Sequence, residues 1–316
     1  MARAQELIFR LSTKLARRKY PEALPVRFHS KRVYILPTRF GVFFGFFTLL
    51  MAMAGLNYNN NMALLLTFLI AGMALLTPLY TVRNLVDLSL IEVVARPVFA
   101  GDDVRFAVTL ANESSQARAV IWVEAEGSPD VTDIPANGRA TLLVSQKTEK
   151  RGWQAMRRIR FFTRFPVGLF YAWSWTIPDA RCLVYPRPED RGQPLPTGAG
   201  VGTGKPERSG DEEWSGLRDY NPGDPSRTIA WKVVARTDQM VTKTFARHES
   251  FRIELDFDAL VELDAERRLS RLARWVLNAS AEGLMFTLIL PTGRIGPGQG
   301  EEHKHRCLRA LAEYNV

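Results

Sequence analysis

Cysteine is scarce in this chain: two residues among 316, Cys182 and Cys307, far apart and with no Cys or His at ligand spacing near Cys182. That excludes a disulfide framework and a zinc site, and leaves two buried thiols in a reducing compartment as the expectation. Histidine is nearly as rare, with four residues. Evenly spread positive charge is missing too. The net charge is +9, but Arg3, Arg10, Lys14, Arg17, Arg18, Lys19, Arg27, Lys31, Arg32 and Arg39 crowd the first 39 residues against Glu6 and Glu22. The remainder carries 32 basic and 31 acidic residues, a balance that argues against nucleic acid as a partner.

Charge is also absent from residues 40–82. Phe40–Leu56 and Met62–Val82 are uncharged apolar runs of 17 and 21 residues, each long enough to cross roughly 30 Å of hydrocarbon with slight stretching or snorkelling. Asn57-Tyr58-Asn59-Asn60-Asn61 between them allows only a tight hairpin, with Tyr58 suited to an interfacial position. The basic residues upstream predict, by the positive-inside rule, that both flanks and therefore both termini are cytoplasmic. Ala52-Met53-Ala54 has the look of a signal-peptidase site, but the long basic leader and the second span speak against cleavage. Ahead of the hairpin, Leu7, Leu11 and Leu15 at four-residue spacing predict an amphipathic basic helix over 1–20, of the kind that lies on anionic lipid.

After residue 83 the pattern shortens to period two. Leu88–Val94, Val104–Leu110, Ala119–Glu124, Arg139–Gln146, Arg157–Thr163, Leu169–Thr176 and Cys182–Tyr185 read as half-buried strands divided by turns, an all-β sandwich over 84–188. Nothing there groups titratable side chains as a catalytic centre would. Residues 189–210 are rich in Gly and Pro and predict a flexible linker. Its Gly198-Ala199-Gly200-Val201-Gly202-Thr203-Gly204-Lys205 is no phosphate loop: Ala199 stands where Gly is required, Pro206 follows the lysine, and no strand leads in.

The most informative stretch is 212–236, within the last segment, 211–316. Asn221-Pro222-Gly223-Asp224-Pro225 is turn chemistry, and Ser226–Arg236 has helical spacing, capped by Asp224 or Ser226, with Arg227 and Trp231 on one face. Trp214, Leu217, Arg218, Tyr220, Gly223, Asp224, Arg227, Ile229, Trp231, Lys232, Ala235 and Arg236 together resemble the signature of the domain-of-unknown-function family number 58. Arg151-Gly152, Phe165-Pro166-Val167-Gly168-Leu169-Phe170 and Val184-Tyr185-Pro186 resemble further landmarks of that family. The resemblance implies membrane-anchored bacterial proteins with a degenerate von Willebrand factor A-like end. It also implies partners: a MoxR-type AAA+ ATPase and a membrane transglutaminase-like protein. Ala230 stands where the family often has His, so a role for that His does not carry over.

Past this stretch, Met240–Ala246 and Phe251–Phe257 read as strands, Asp264–Glu282 as a helix, Leu284–Leu290 as a buried strand and Glu301–Tyr314 as a last helix. This is a βαβ pattern with a parallel sheet, and it fits the von Willebrand A-like α/β end, here truncated, that the resemblance implies. The metal motif of that fold, D-x-S-x-S, is degenerate here: Asp256 is kept, Asp258 replaces the first Ser and Leu260 offers no oxygen. His303 and His305, two apart beside Lys304 and Arg306, predict a solvated helix start, and Cys307 lacks a third partner.

Three readings of 212–236 compete. Its arginines and aromatics form a docking surface for a protein; or they are purely structural, with Trp214, Tyr220 and Trp231 in a core; or they catalyse hydrolysis or transfer. The last lacks a nucleophile paired with a base, and Asp224 is its sole local acid. The expected function is a non-enzymatic inner-membrane scaffold or adaptor without cofactor, embedded in the lipid bilayer by a helical hairpin. The alternatives are a divalent-metal von Willebrand A-like binding module at Asp256 and Asp258, and a hydrolase or transferase built on the polar cluster.

Overall fold

The computed structural model describes residues 20–190, 193–196, 213–220, 229–237, 240–246 and 253–315. They fall into two compact units, residues 1–188 with 309–316 and residues 189–308. Residues 1–19, where the basic helix is expected, lie outside the described residues.

The first unit is mostly sheet. Strands β1 (Val26–Arg27), β3 (Leu88–Ala95), β5 (Asp103–Asn112) and β8 (Arg139–Lys147) pair in the order β1-β3-β5-β8. Strands β2 (Tyr34–Pro37), β6 (Arg118–Glu124), β7 (Asp130–Ile134), β10 (Ile159–Thr163) and β11 (Phe170–Thr176) form a second sheet, β2-β11-β10-β6-β7. A third, small sheet joins β4 (Val98–Phe99), β12 (Arg181–Tyr185) and β9 (Gly152–Ala155) in the order β4-β12-β9. Period-two alternation drives the layering: Val104, Phe106, Val108 and Leu110 of β5 are buried while Asp103 and Arg105 are exposed, so one face of the strand supplies the core. The two larger sheets share that core, with Leu90, Phe106 and Leu142 from one and Ile121, Phe161 and Ala172 from the other.

Residues 20–39 are not part of a separate basic segment. Val26 and Phe28 are buried, the Phe28 ring lies 4.8 Å from that of Phe161, and β2 pairs antiparallel with β11, Ile35 opposite Ala172. Short apolar alternations at Val26/Phe28 and Val33/Ile35 sit among arginines, and the sheets take them up.

Between β2 and β3 the chain runs out and back through α1 (Arg39–Asn57) and α2 (Asn61–Arg83). Both are long and apolar enough to cross a membrane, and only 6% and 11% of their apolar windows are buried. A core helix of a soluble protein would hide such a surface. Asn60 caps α2, accepting from the Ala63 amide at 3.1 Å. Thr48, Thr67, Thr77 and Thr81 each donate to the carbonyl four residues earlier at 2.7–2.9 Å, which satisfies their hydroxyls without water.

The base of the hairpin is bonded into the five-stranded sheet at both ends. Thr38 caps α1 by accepting from the Gly41 amide at 3.0 Å, and its hydroxyl donates to the Gly168 carbonyl at 2.7 Å. Gly41 is required there, because a Cβ would stand 2.1 Å from the Leu169 carbonyl oxygen. At the other end the Asn84 amide donates to the Ala119 carbonyl at 2.7 Å and to Thr163 at 3.1 Å, while its oxygen accepts from the Ala119 amide at 3.1 Å. Arg118, buried, donates to the carbonyls of Arg83 and Val86, closing the C-terminal end of α2 with a guanidinium.

In the second unit β15 (Ile253–Asp256) lies parallel to β16 (Phe286–Leu290), connected through α4 (Ala265–Ala281). This is the βαβ unit the sequence predicts. Leu269, Leu272, Ala273, Val276 and Ala279 put one face of α4 in the core. An additional strand, β17 (Gly293–Gly298), folds back antiparallel on β16 before α5 (Gly300–Glu313). Residues 189–190 and 193–196 depart from the expected flexible linker. Glu189 takes two hydrogen bonds from Arg271 at 2.9 and 3.1 Å, its carbonyl accepts from Arg274 at 2.7 Å, and the Trp275 indole donates to the Gln193 carbonyl at 2.9 Å. The Arg271 hydrogen bond also holds the Glu189 carboxyl below its ordinary range. Residues 197–212 lie outside the described residues.

Candidate functional site

The signature stretch divides into a backbone half and an exposed half. Trp214 and Arg218 belong to β13 (Glu213–Asp219), which pairs antiparallel with β14 (Val241–Ala246), Arg218 opposite Thr242. Tyr220 continues the pairing, its amide donating to the Met240 carbonyl at 3.1 Å. On the other side, Ile229 bridges Thr242 and the Ala230 amide donates to the Val241 carbonyl at 3.0 Å. The stretch thus embraces β14 from both sides. Gly223, Asp224 and Arg227, with the expected turn and cap, lie outside the described residues.

The helix begins later than its spacing predicts. It is α3 (Trp231–Thr237), not Ser226–Arg236, because Ile229 and Ala230 are engaged in extended pairing and are buried. Trp231 is not a core residue either: it is 58% exposed, beside exposed Lys232 and Arg236.

At the C-terminal end of β15, the Asp256 carboxylate accepts from the Asp258 amide at 2.9 Å. One oxygen is thereby spent on the turn, and Leu260 adds no ligand. Among the described residues no group of three or more His, Cys, Asp or Glu side chains is placed to hold a metal.

His303 is buried, contrary to the solvated helix start expected for it. Its Nε2 lies 3.0 Å from the Phe286 carbonyl, its ring 4.6 Å from that of Phe286, and Cys307 Sγ 3.6 Å from Nε2. Gly298 makes room for it, since a Cβ there would meet Nδ1 at 2.5 Å. The carbonyl fixes Nε2 as the protonated nitrogen, so the imidazole acts as a donor rather than a base toward the thiol. Burial pushes the Cys307 thiol up to about 12 and that of Cys182 up to about 11. Both cysteines are free and buried, poor nucleophiles at neutral pH.

No family model matches the chain, and neither a curated protein nor a solved structure does.

Burial lowers the His303 pKa from its ordinary 6.5, with Arg306 lowering it further and the Phe286 carbonyl opposing. The sign follows from linkage: the unfolded chain takes up this proton first as pH falls, so stability is full above 6.5 and is lost on descending toward the folded value. His303→Gln, which keeps a donor but does not titrate, should flatten this acid loss in full-length protein followed by thermal unfolding between pH 7.5 and 5. Identical slopes for both proteins would remove His303 as the cause.

The residues that sequence reasoning missed are those at the hairpin base, Thr38, Asn84 and Arg118. Thr38 and Asn84 carried one usable signal, because each is the first polar residue beyond its apolar run or the arginine that bounds it. Arg118 carried none, since its partners are backbone carbonyls 32 and 35 residues upstream.

Proposed function

We propose that this chain is a non-enzymatic bacterial inner-membrane scaffold or adaptor. A two-span hairpin holds a β-sandwich at the membrane surface, and a von Willebrand A-like end, supported by the parallel β15–α4–β16 unit, meets a protein partner. The observation that carries the reading is the pairing of strands across the hairpin. Strand β1 pairs with β3, and β2 with β11, so the flanks of the hairpin share one side of any bilayer its helices cross. The basic residues of the first 39 favour the cytoplasm for that side. A reporter fused at Val316 tests it: fluorescence of a cytoplasm-dependent reporter is expected, and periplasmic phosphatase activity would overturn the topology.

Trp231 favours docking over a structural role. An exposed tryptophan flanked by Lys232 and Arg236 is the kind of group that carries interface energy. The partner that the sequence resemblance suggests is a MoxR-type AAA+ ATPase, acting with a membrane transglutaminase-like protein. A photo-crosslinking amino acid at position 231, activated in native membranes, should join the chain to such an ATPase, and adding Arg236→Ala should cut the yield about fivefold or more. An identified adduct at a control position on α4 but none at 231 would sink the docking role of α3.

A further inference from the structure

The rim where β2 gives way to α1 combines three features that neither the fold nor the docking reading uses. A groove of about 420 Å³ opens there, lined by Pro37, Arg39, Val42 and Phe43. Arg39 is exposed and has no carboxylate partner among the described residues. Beside it runs the loop Arg164-Phe165-Pro166-Val167-Gly168. One hydrogen bond closes this loop, the Gly168 amide donating to the Arg164 carbonyl at 2.9 Å, and another ties it to the helix cap, the Gly168 carbonyl accepting from Thr38 at 2.7 Å.

That loop turns apolar side chains outward, with Phe165 37% and Val167 54% exposed. Arg164 is exposed too, its guanidinium lying 5.6 Å from the centre of the Tyr171 ring. Neither Arg164 nor Arg39 has an acidic neighbour to neutralise it among the described residues. An unneutralised arginine in the first turn of an exposed apolar helix and another in the loop bonded to its cap, with an apolar groove leading along Val42 and Phe43, match a molecule that is anionic at one end and hydrocarbon at the other.

We propose that this rim binds an anionic phospholipid, with the phosphate between Arg39 and Arg164, an acyl chain along Val42 and Phe43, and Phe165 and Val167 seated at the headgroup boundary. The inference rests on the two-span reading. It adds to it a preference for headgroup charge at one defined place, which a bare hydrophobic anchor would not have.

Full-length protein in mild detergent, offered equal amounts of phosphatidylglycerol and phosphatidylcholine, should retain phosphatidylglycerol preferentially, as counted by native mass spectrometry. Arg39→Gln and Arg164→Gln should each reduce that retention about fivefold, and together remove the preference. Both side chains are exposed, so the thermal midpoint should stay unchanged and a folding defect is separable. Phe165→Ser with Val167→Ser should lower retention of both lipids alike. Glycerol phosphate at millimolar concentration should fail to compete. Equal retention of the two lipids, an unchanged preference in the double arginine variant, or no loss in the serine variant would overturn the proposal. Full competition by glycerol phosphate would overturn it in favour of a soluble phosphate ligand. The anchor itself is read separately by flotation with vesicles: a protein that stays behind refutes the two-span reading, whereas one that floats without headgroup preference refutes this inference alone.

Discussion

Phe28→Ala should destabilise the β-rich unit by about 3–5 kcal/mol, the usual cost of emptying a phenylalanine site that cannot collapse. Phe28 is fully buried and packs its ring, tilted by 50°, 4.8 Å from that of Phe161, which comes from the other large sheet. Its amide also donates to the Leu88 carbonyl at 2.9 Å, so the backbone around the cavity is held and little relaxation is available. For a unit of this size the thermal midpoint in detergent should fall by roughly 2–4 °C per kcal/mol. The substitution separates two views of the first 39 residues. If they were only a basic leader, the change would behave like a surface substitution, within about 0.5 kcal/mol of wild type. A chain beginning at residue 39 should for the same reason lack a native core, visible as loss of the cooperative transition.

Arg118→Leu should cost about 2–4 kcal/mol and loosen the foot of the helical hairpin. The guanidinium is 5% exposed and supplies donors to the carbonyls of Arg83 and Val86 at the end of α2. Burial lowers its pKa, an effect that the nearby Arg83 charge reinforces and Asp87 opposes. Removing it leaves part-buried carbonyls at the helix end without this partner, at about 1–3 kcal/mol for each group left unmade. Arg118→Lys should recover little, because a single ammonium on a flexible stem lacks the planar fork that reaches two carbonyls at once. Limited proteolysis of the segment between α2 and β3 in full-length protein is the direct readout, with faster cleavage expected in both variants. Asn84→Ala should act in the same direction. The double variant should be non-additive, since both side chains hold the same helix end to β6. Unchanged cleavage in Arg118→Leu would mean that the sheet positions the hairpin without this clamp.

What the sequence discloses and what it hides divide along a physical line. The two long apolar helices are legible because their uncharged composition runs unbroken over whole turns, and the predicted runs fall within a residue of α1 and α2 at each end. Strands β3, β5, β6, β8 and β11 are legible because one face of each meets a core. Strands β1, β2, β4, β7, β9 and β17 are not. Asp130–Ile134 and Gly293–Gly298 owe their pairing to backbone geometry supplied by neighbours, and their side chains carry no apolar period. The late start of α3 has the same origin: helical spacing runs through Ile229 and Ala230, but tertiary pairing with β14 takes their backbone first. His303 escaped for a related reason. Its flanking charges advertise solvent, while what buries it is Phe286 and the room left by Gly298, neither of which local sequence can reveal.

Placing the hairpin between β2 and β3 has a consequence for how the chain is made. Strand β2 leaves the ribosome before either membrane helix, yet its partner β11 follows only after both helices and more than eighty further residues. At about 5–20 residues per second the wait is on the order of ten seconds, during which Val26, Phe28 and Ile35 have no core to enter. On the proposed two-span topology, the five-stranded sheet closes only once both ends of the hairpin stand on one face of the bilayer, because β2 and β11 must meet there. On that topology correct insertion becomes a precondition for a finished sheet, since a chain whose second helix fails to turn back would leave β2 and β11 on opposite sides of the bilayer.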